Sequence, residues 1–498
     1  FGQAPPQRMY IESWFSGFSS IVVYAWTQLL AGNTEALNLN IFADAYSDFN
    51  QNPYPYVYGY RLLMLFFDLL TVLFIFKTAQ IVFARKKHGE WLAAIVASLY
   101  LMSYNTIWCN IVARPDTGTA LFAATSLFLY YRSNFGASIH QLWGSALLMG
   151  IATGYKLHGA LFVIFILLDM WRTLGFRHAF KRCFQFGLIS FIAFLISSGS
   201  AIFDPLLYAK LRALNVKDDA SPWINWGDQI VVLFRGAGWF AIPLIFAAIF
   251  STWKYRQLSE NKYINSVVFL AICWILLFLS IRQLRAYWML PALPIIYMAA
   301  VSIFTVIERR SVLVGLSIIA LAIAAFQSAQ QVSTFNNVNY KQLSSWVERN
   351  IEPESSIYIL GYEALNLPRN TVAINNLKKG IEKGMEQSLA TENFTYRHLR
   401  LWEERSALKL FSMLEFKSAG YEYYGYHVAP LSHYDGIISF DEMDYVIFLD
   451  GFIFPEIDII NARLATDFDK VATNIVGPGG GGKGLSYRIY KRTSLNGH

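Results

Sequence analysis

Between Arg61 and Phe326 the chain runs through about ten long apolar segments separated by short polar gaps. A soluble core cannot hide so many in a row. Segments approaching the roughly 20 residues that cross a bilayer must keep their backbone hydrogen bonds inside helices, because lipid offers none. The segments lie near residues 61–83, 91–110, 117–131, 141–155, 159–171, 183–203, 237–253, 264–281, 287–306 and 311–328. Several are short for a span, which suits tilted or re-entrant helices within a bundle.

The gaps differ in kind. Alternate ones are basic: Ala84-Arg-Lys-Lys-His88, Trp171–Arg182, Trp253-Lys-Tyr-Arg256 and Glu308-Arg-Arg310. The others carry Ala113-Arg-Pro-Asp116, Tyr155-Lys-Leu-His158, Phe203-Asp-Pro205 and Arg282-Gln-Leu-Arg285. Lys and Arg mark the cytoplasmic side of a membrane. The second set is therefore expected on the outer side, together with a long loop, 204–236, that holds Asp204, Asp218, Asp219 and Asp228.

Only 15% of residues are charged and 55% are hydrophobic, against about 25% charged in soluble domains. The net charge of +7 sits mostly in the short basic gaps, where it faces anionic lipid headgroups, so it does not point to nucleic acid. Cys109, Cys183 and Cys273 are far apart and lack metal-ligand spacing, which supports neither a disulfide framework nor a zinc site.

The expected product is a polytopic α-helical membrane protein with a soluble C-terminal α/β domain. Residues 1–60 form an extracytoplasmic first loop, 61–328 the helical membrane domain, and 329–498 the extracytoplasmic soluble domain. Within the first loop, Trp14–Leu30 is apolar but interrupted by Ser16, Gly17, Ser19 and Ser20. It is read as a helix lying along the membrane surface, a full span being the lesser alternative. Counting sides backwards places Phe1 outside, and no signal peptide is visible, so one further membrane helix is expected upstream.

In the C-terminal part, strand-like runs occur at Ser356–Leu360, Tyr445–Leu449 and Leu485–Tyr490, and Ser344–Asn350 ends an amphipathic helix. Gly477-Pro-Gly-Gly-Gly-Gly482 lacks the GK[ST] ending of a phosphate loop and reads as a hairpin tip before the last strand. Asn393-Phe-Thr395 matches a glycosylation sequon, a pattern short enough to arise by chance.

Ionisable residues at membrane depth are costly and mark function. Asp116 follows Pro115 at the start of a segment, where a carboxylate caps a helix and gains from its dipole. That structural role competes with a catalytic one. Arg114, Lys156, His158, Arg282 and Arg285 should share its side of the membrane, and a carboxylate among cations suits phosphate binding beside an activated hydroxyl.

Four stretches occur in a telling order. They are Tyr46-Ser-Asp-Phe-Asn-Gln-Asn-Pro-Tyr-Pro55 before one helix, Ala113-Arg-Pro-Asp-Thr117 opening another, Gly150-Ile-Ala-Thr-Gly-Tyr-Lys156 closing a third, and Arg285-Ala-Tyr-Trp-Met-Leu-Pro-Ala-Leu-Pro294. With these the chain resembles the GT-C superfamily of polyprenyl-phosphate-sugar-dependent glycosyltransferases, near the protein mannosyltransferase and aminoarabinose-transferase branch (glycosyltransferase family 39-like). The resemblance covers nearly all of the membrane part, and the soluble tail fits the family plan. It implies transfer of a sugar from a polyprenyl phosphate to a protein, lipid or glycan acceptor on the extracytoplasmic face. It further implies a multi-pass protein of the bacterial inner membrane, with membrane lipids as partners; acceptor binding and binding of a membrane-complex partner both stay open for the soluble tail.

In that family a carboxylate of the first outer loop, usually an Asp-Glu pair, is the catalytic base. Spacing back from Gly32 puts the pair near Gly17–Ser20, where this chain has no acid. The nearest is Glu12, with Asp44 and Asp48 further along. The base is therefore left among Asp116, Glu12 and Asp48.

Lys156 matches the family's Gly-…-Thr-…-Lys pattern and is a candidate for the donor phosphate, with snorkelling to the interface as its structural alternative. Arg282 and Arg285, with Arg114, are the other phosphate candidates, since guanidinium grips phosphate oxygens bidentately. The first two could instead neutralise the aspartates of the 204–236 loop. His158 has no partner at metal-ligand spacing and reads as an interfacial histidine. Tyr54, Tyr56, Tyr58 and Tyr60 suit an interfacial belt, or stacking on sugar. No nucleotide sugar is expected; a divalent metal is left open as a cofactor. The rival reading from another class is a non-catalytic subunit that kept the scaffold and lost its acid. A lipid flippase is disfavoured by the lack of an internal repeat.

Overall fold

The computed structural model describes residues 22, 24–26, 28, 29, 32, 53–111, 116–156, 158–198, 226–254, 261–280, 286–336, 342–360, 367, 369–390, 420–425, 439–450, 457–478 and 484–493. Two compact units emerge, one built from Arg61–Val332 and the other from Ser333–His498 with part of the first sixty residues. In the first loop, Val22, Tyr24–Trp26, Gln28 and Leu29 are helical, in line with the expected Trp14–Leu30 helix as far as they reach.

The described residues of all ten apolar segments are helical apart from short breaks at Met102–Ser103 and Gly238–Phe240. In chain order the helices are α1 (Pro53–Phe83), α2 (Gly89–Leu101), α3 (Tyr104–Ile111), α4 (Asp116–Arg132), α5 (Ile139–Tyr155) and α6 (His158–Leu174). There follow α7 (Phe176–Ser198), α8 (Trp226–Ala237), α9 (Ala241–Lys254), α10 (Lys262–Ser280), α11 (Leu293–Ser302, between 3₁₀ turns Ala286–Ala292 and Ile303–Val306) and α12 (Arg310–Asn336).

Among the described residues, five helical stretches are long and apolar enough to cross a membrane: Arg61–Phe83, His178–Ser197, Lys262–Ser280, Trp288–Val306 and Arg310–Gln330. A sixth candidate is the pair α8–α9, bent by 90°. The bend falls at Gly238, whose φ of +90° is open to glycine and strained for other residues. Helices α4, α5 and α6 have 17 residues each.

Local chemistry explains where the helices depart from the sequence reading. The segment expected at 91–110 is two helices, because Ser103 caps α3: its hydroxyl accepts from the Thr106 N–H at 3.1 Å. The first helix begins at Pro53 rather than Arg61, proline being tolerated in a first helical turn. The last third of the expected 204–236 loop is helical, since α8 starts at Trp226.

Helix α5 is the hub of the bundle. Against α4 it makes a reciprocal serine clasp: Ser126 Oγ donates to the Ser145 carbonyl at 2.7 Å, and Ser145 Oγ to that of Ser126 at 2.8 Å. Against α7 it presents Gly150 and Gly154, a small-xxx-small face of the kind that lets membrane helices approach closely. A Cβ on Gly150 would lie 2.3 Å from the Ser190 carbonyl, and one on Gly154 would lie 1.9 Å from Ser197 Oγ.

The C-terminal unit holds α13 (Gln342–Asn350), β1 (Ser356–Leu360), α14 (Thr371–Ala390), β2 (Glu422–Gly425), β3 (Tyr445–Leu449), α15 (Ile457–Asp467), β4 (Phe468–Pro478) and β5 (Gly484–Arg492). The sheet order is β2-β1-β3-β5-β4. Strands β2, β1 and β3 pair in parallel, and β5 runs antiparallel to β3 and to β4. Every residue of β1 and β3 is buried, as a central strand covered on both faces requires. On one face Ile357, Ile359 and Ile447 meet Leu343 and Val347 of α13. On the other, Tyr358, Leu360 and Phe448 meet Leu377 of α14 and Leu464 of α15. The three expected strands and the helix before them are present; β2 and β4 are additions. Pro478 pairs with Gly484, and the glycine-rich residues between them, expected as a hairpin tip, lie outside the described residues.

Candidate functional site

Helices α4 and α5 are antiparallel neighbours, so the N-terminus of one meets the C-terminus of the other. Asp116 is the first residue of α4, where the positive helix end favours a carboxylate. Lys156 is the C-cap of α5, extended at φ −149° and ψ 137°, where the negative helix end favours an ammonium. The two side chains meet although 40 positions separate them. Lys156 Nζ donates to Asp116 Oδ1 at 2.7 Å and to Oδ2 at 2.6 Å. Exposure is unequal: the Asp116 side chain is 1% accessible and that of Lys156 17%. The lysine is thus the accessible half of the pair.

The surroundings are tight. Gly118, in the first turns of α4, lies against the Tyr155 ring, and a Cβ there would fall 2.5 Å from Tyr155 Cε1. Tyr155 also packs on Phe122, with ring centroids 5.5 Å apart. Thr117 and Thr119 are fully buried beside Asp116, and neither hydroxyl has a hydrogen-bond partner among the described residues.

Of the expected site residues the structure therefore brings together Asp116 and Lys156. Glu12, Asp48, Arg114, Arg282 and Arg285 lie outside the described residues, as do Asp44 and the side chain of His158. Among the described residues no three His, Cys, Asp or Glu side chains converge as metal ligands.

Two buried acids went unnoticed in the sequence. Asp169, with its residue fully buried, accepts from Tyr130 Oη at 3.0 Å and Arg172 Nη2 at 2.8 Å, and also from Ser266 Oγ. Its neighbourhood includes Lys262, which contacts Asn134, and Phe135, wedged between Tyr131 and Tyr263. This cluster occupies the ends of α4 and α6 and the start of α10, the ends remote from Asp116 and Lys156. Asp68 in α1 is likewise buried and accepts from Tyr100 Oη at 3.1 Å. The signal for both was a lone acid inside an apolar run, with tyrosines elsewhere to satisfy it.

In the C-terminal unit a cavity of about 260 Å³ is lined by Glu354, Glu422, Glu442, Asp444, Asn376 and Tyr424, among others. Tyr424 Oη donates to Glu422 Oε1 at 2.8 Å and accepts from Asn376 Nδ2 at 2.8 Å. Burial, and to a smaller extent the Glu422 carboxylate, pushes the Tyr424 phenol well above its usual range. Asp444 Oδ2 accepts from both the N–H and the hydroxyl of Ser356, tying β3 to the start of β1.

No protein-family model matches the chain, and no curated protein matches it in sequence. Among solved structures it is similar to that of ArnT from Cupriavidus metallidurans in the apo state, with 12% identity and a TM-score of 0.43, over 88% of this chain and 84% of that one.

Proposed function

We propose that this protein is a membrane glycosyltransferase that moves a sugar from a polyprenyl phosphate to an acceptor on the extracytoplasmic side. The observation that carries this reading is the pairing of Asp116 with Lys156. These residues come from two separate motifs of the GT-C resemblance, and the fold delivers them to one spot. That spot lies at the ends of α4 and α5 remote from the basic cluster around Arg172 and Lys262, which supports an outward site under the positive-inside rule. The C-terminal unit would lie on the same outer side, and the cell compartment would be the bacterial inner membrane.

In the proposed reaction a carboxylate accepts the proton of an acceptor hydroxyl or amine. The freed lone pair bonds to the anomeric carbon as the bond from that carbon to the phosphate oxygen breaks. The electron pair leaves with the polyprenyl phosphate, and the sugar configuration inverts. Lys156, with Arg114, Arg282 and Arg285, would stabilise the charge that grows on the phosphate, where fixed cations contribute most. The base would be Asp116, Glu12 or Asp48.

The test is transfer of labelled sugar from a mixture of polyprenyl-phosphate donors, using purified protein and native membranes as acceptor. The wild type would be run beside Glu12→Gln and Asp48→Asn. Donor-dependent transfer supports the reading, and abolition in one variant identifies the base. The alternative, a non-catalytic subunit with the same scaffold, is favoured by the lack of an acid near Gly17–Ser20. Lack of transfer by the wild type across all donors would select it.

A further inference from the structure

A general base must bring a carboxylate oxygen within about 2.6–3.2 Å of the proton that it takes. At Asp116 both oxygens already lie against one ammonium, and the side chain is 1% accessible. Lys156, by contrast, reaches the surface of the pair. An ammonium has three donors, so it can engage a carboxylate and a phosphate together.

The packing around the pair fixes the lysine more firmly than a lone snorkelling side chain would be fixed. Lys156 has left the helix for an extended backbone, and its carbonyl accepts from the Gly159 N–H at 2.8 Å. Gly118 against Tyr155 holds the two helix ends in register. A flexible four-carbon stem would otherwise lose much of its rotamer freedom on meeting a ligand.

We propose that Asp116 is a positioning residue and not the base: it clamps Lys156 so that the ammonium is aimed at the donor phosphate. Of the three candidate bases, that leaves Glu12 and Asp48. The ligand's identity rests on the glycosyl-transfer reading above, whereas the clamp itself is a statement about phosphate binding.

The test uses the full chain in lipid nanodiscs, with farnesyl phosphate as the probe and farnesol as the phosphate-free control. Lys156→Gln and Asp116→Asn should each weaken farnesyl phosphate binding by about tenfold or more, the usual loss for a hydrogen bond to a charged group. The double variant should lose no more than either single one, because the two act as a unit. It removes both charges of this ion pair together, which avoids leaving one of them facing the other's lost charge. Asp116→Glu should bind with intermediate affinity, and farnesol binding should not change in any variant.

In transfer assays Asp116→Asn should raise KM for the donor and largely spare kcat. A collapse of kcat with KM and phosphate affinity unchanged would make Asp116 the base and overturn the proposal. Additive losses in the double variant would overturn it too, as would a wild type that binds farnesyl phosphate no better than farnesol. Phosphate-dependent binding that obeys the clamp, without transfer from any donor, would leave the proposal standing and remove the glycosyl-transfer reading.

Discussion

Gly154→Ala adds one methyl group at the tightest point of the α5–α7 contact. Its Cβ would lie 1.9 Å from Ser197 Oγ and 2.7 Å from Ser197 Cβ, whereas carbon atoms in contact prefer about 3.5–4.0 Å. Rotating the hydroxyl away removes the first clash and leaves the second, so the helices must part by about 1 Å. Overpacking of this kind costs about 1–3 kcal/mol, and alanine returns up to ~1 kcal/mol of helix propensity. The expected net loss is about 1–2 kcal/mol, read as a lowered thermal midpoint of the purified protein in detergent. Gly187→Ala is the control: it sits in α7 with nothing within 4 Å of an added Cβ, so the same substitution should be neutral or mildly stabilising. Rescue separates the two clashes. Ser197→Gly in the Gly154→Ala background removes both and should restore most of the loss, while Ser197→Ala removes only the hydroxyl and should not. Equal midpoints for Gly154→Ala and Gly187→Ala would refute the reasoning, as would equal rescue by both serine variants.

At the remote end of the bundle, Asp169→Asn should destabilise by about 2–3 kcal/mol, less than a fully buried pair, because the Arg172 side chain is 37% exposed. Farnesyl phosphate affinity should be unchanged in that variant, which a binding titration checks. In the C-terminal unit, Asp444→Ala strands the Ser356 N–H, while the Ser356 hydroxyl keeps the Glu442 carbonyl as an acceptor, and should cost about 1–3 kcal/mol, seen as earlier exposure of β1 in hydrogen exchange. For Tyr424 the sign follows from its raised pKa: the folded state keeps a proton that the unfolded chain sheds as pH passes the usual phenol value near 10. Stability therefore falls as pH rises above that point. Tyr424→Phe has no such proton, so its deficit relative to wild type should shrink in denaturant titrations run above pH 10.

The fold was legible where one physical signal acted alone. Apolar runs such as Lys262–Ser280 and Arg310–Gln330 announced helices, and the fully buried strands at Ser356–Leu360 and Tyr445–Leu449 read as short unbroken apolar runs. Strand β2 was missed because Glu422-Tyr-Tyr-Gly425 is short and carries an acid that only the neighbouring Tyr424 hydroxyl explains. Strand β4 mixes polar and apolar residues irregularly because its register with β5 shifts twice. At the site, Asp116 and Lys156 stood out as ions beside apolar runs, but the bond between them depends on α4 and α5 being antiparallel neighbours. Gly150 and Gly154 were noticed as part of a family pattern. Their packing role against Ser190 and Ser197 required the partner helix to be known. Asp169 has one partner in sequence reach, Arg172 three positions on, but the others, Tyr130 and Ser266, are 39 and 97 positions away.

The 17-residue length of α5 and α6 has a consequence for the lipid around them. At 1.5 Å per residue each reaches about 26 Å, a few ångströms short of a typical 30 Å hydrocarbon core. Both turn apolar side chains outward, Leu147 on α5 and Ile164 and Leu168 on α6. If these helices cross the bilayer as the proposed topology requires, local thinning of the membrane beside them is one way to match their length. Such thinning would bring lipid headgroups down to the level of Lys156, and a donor whose phosphate rides at headgroup height would then need no lifting out of the membrane.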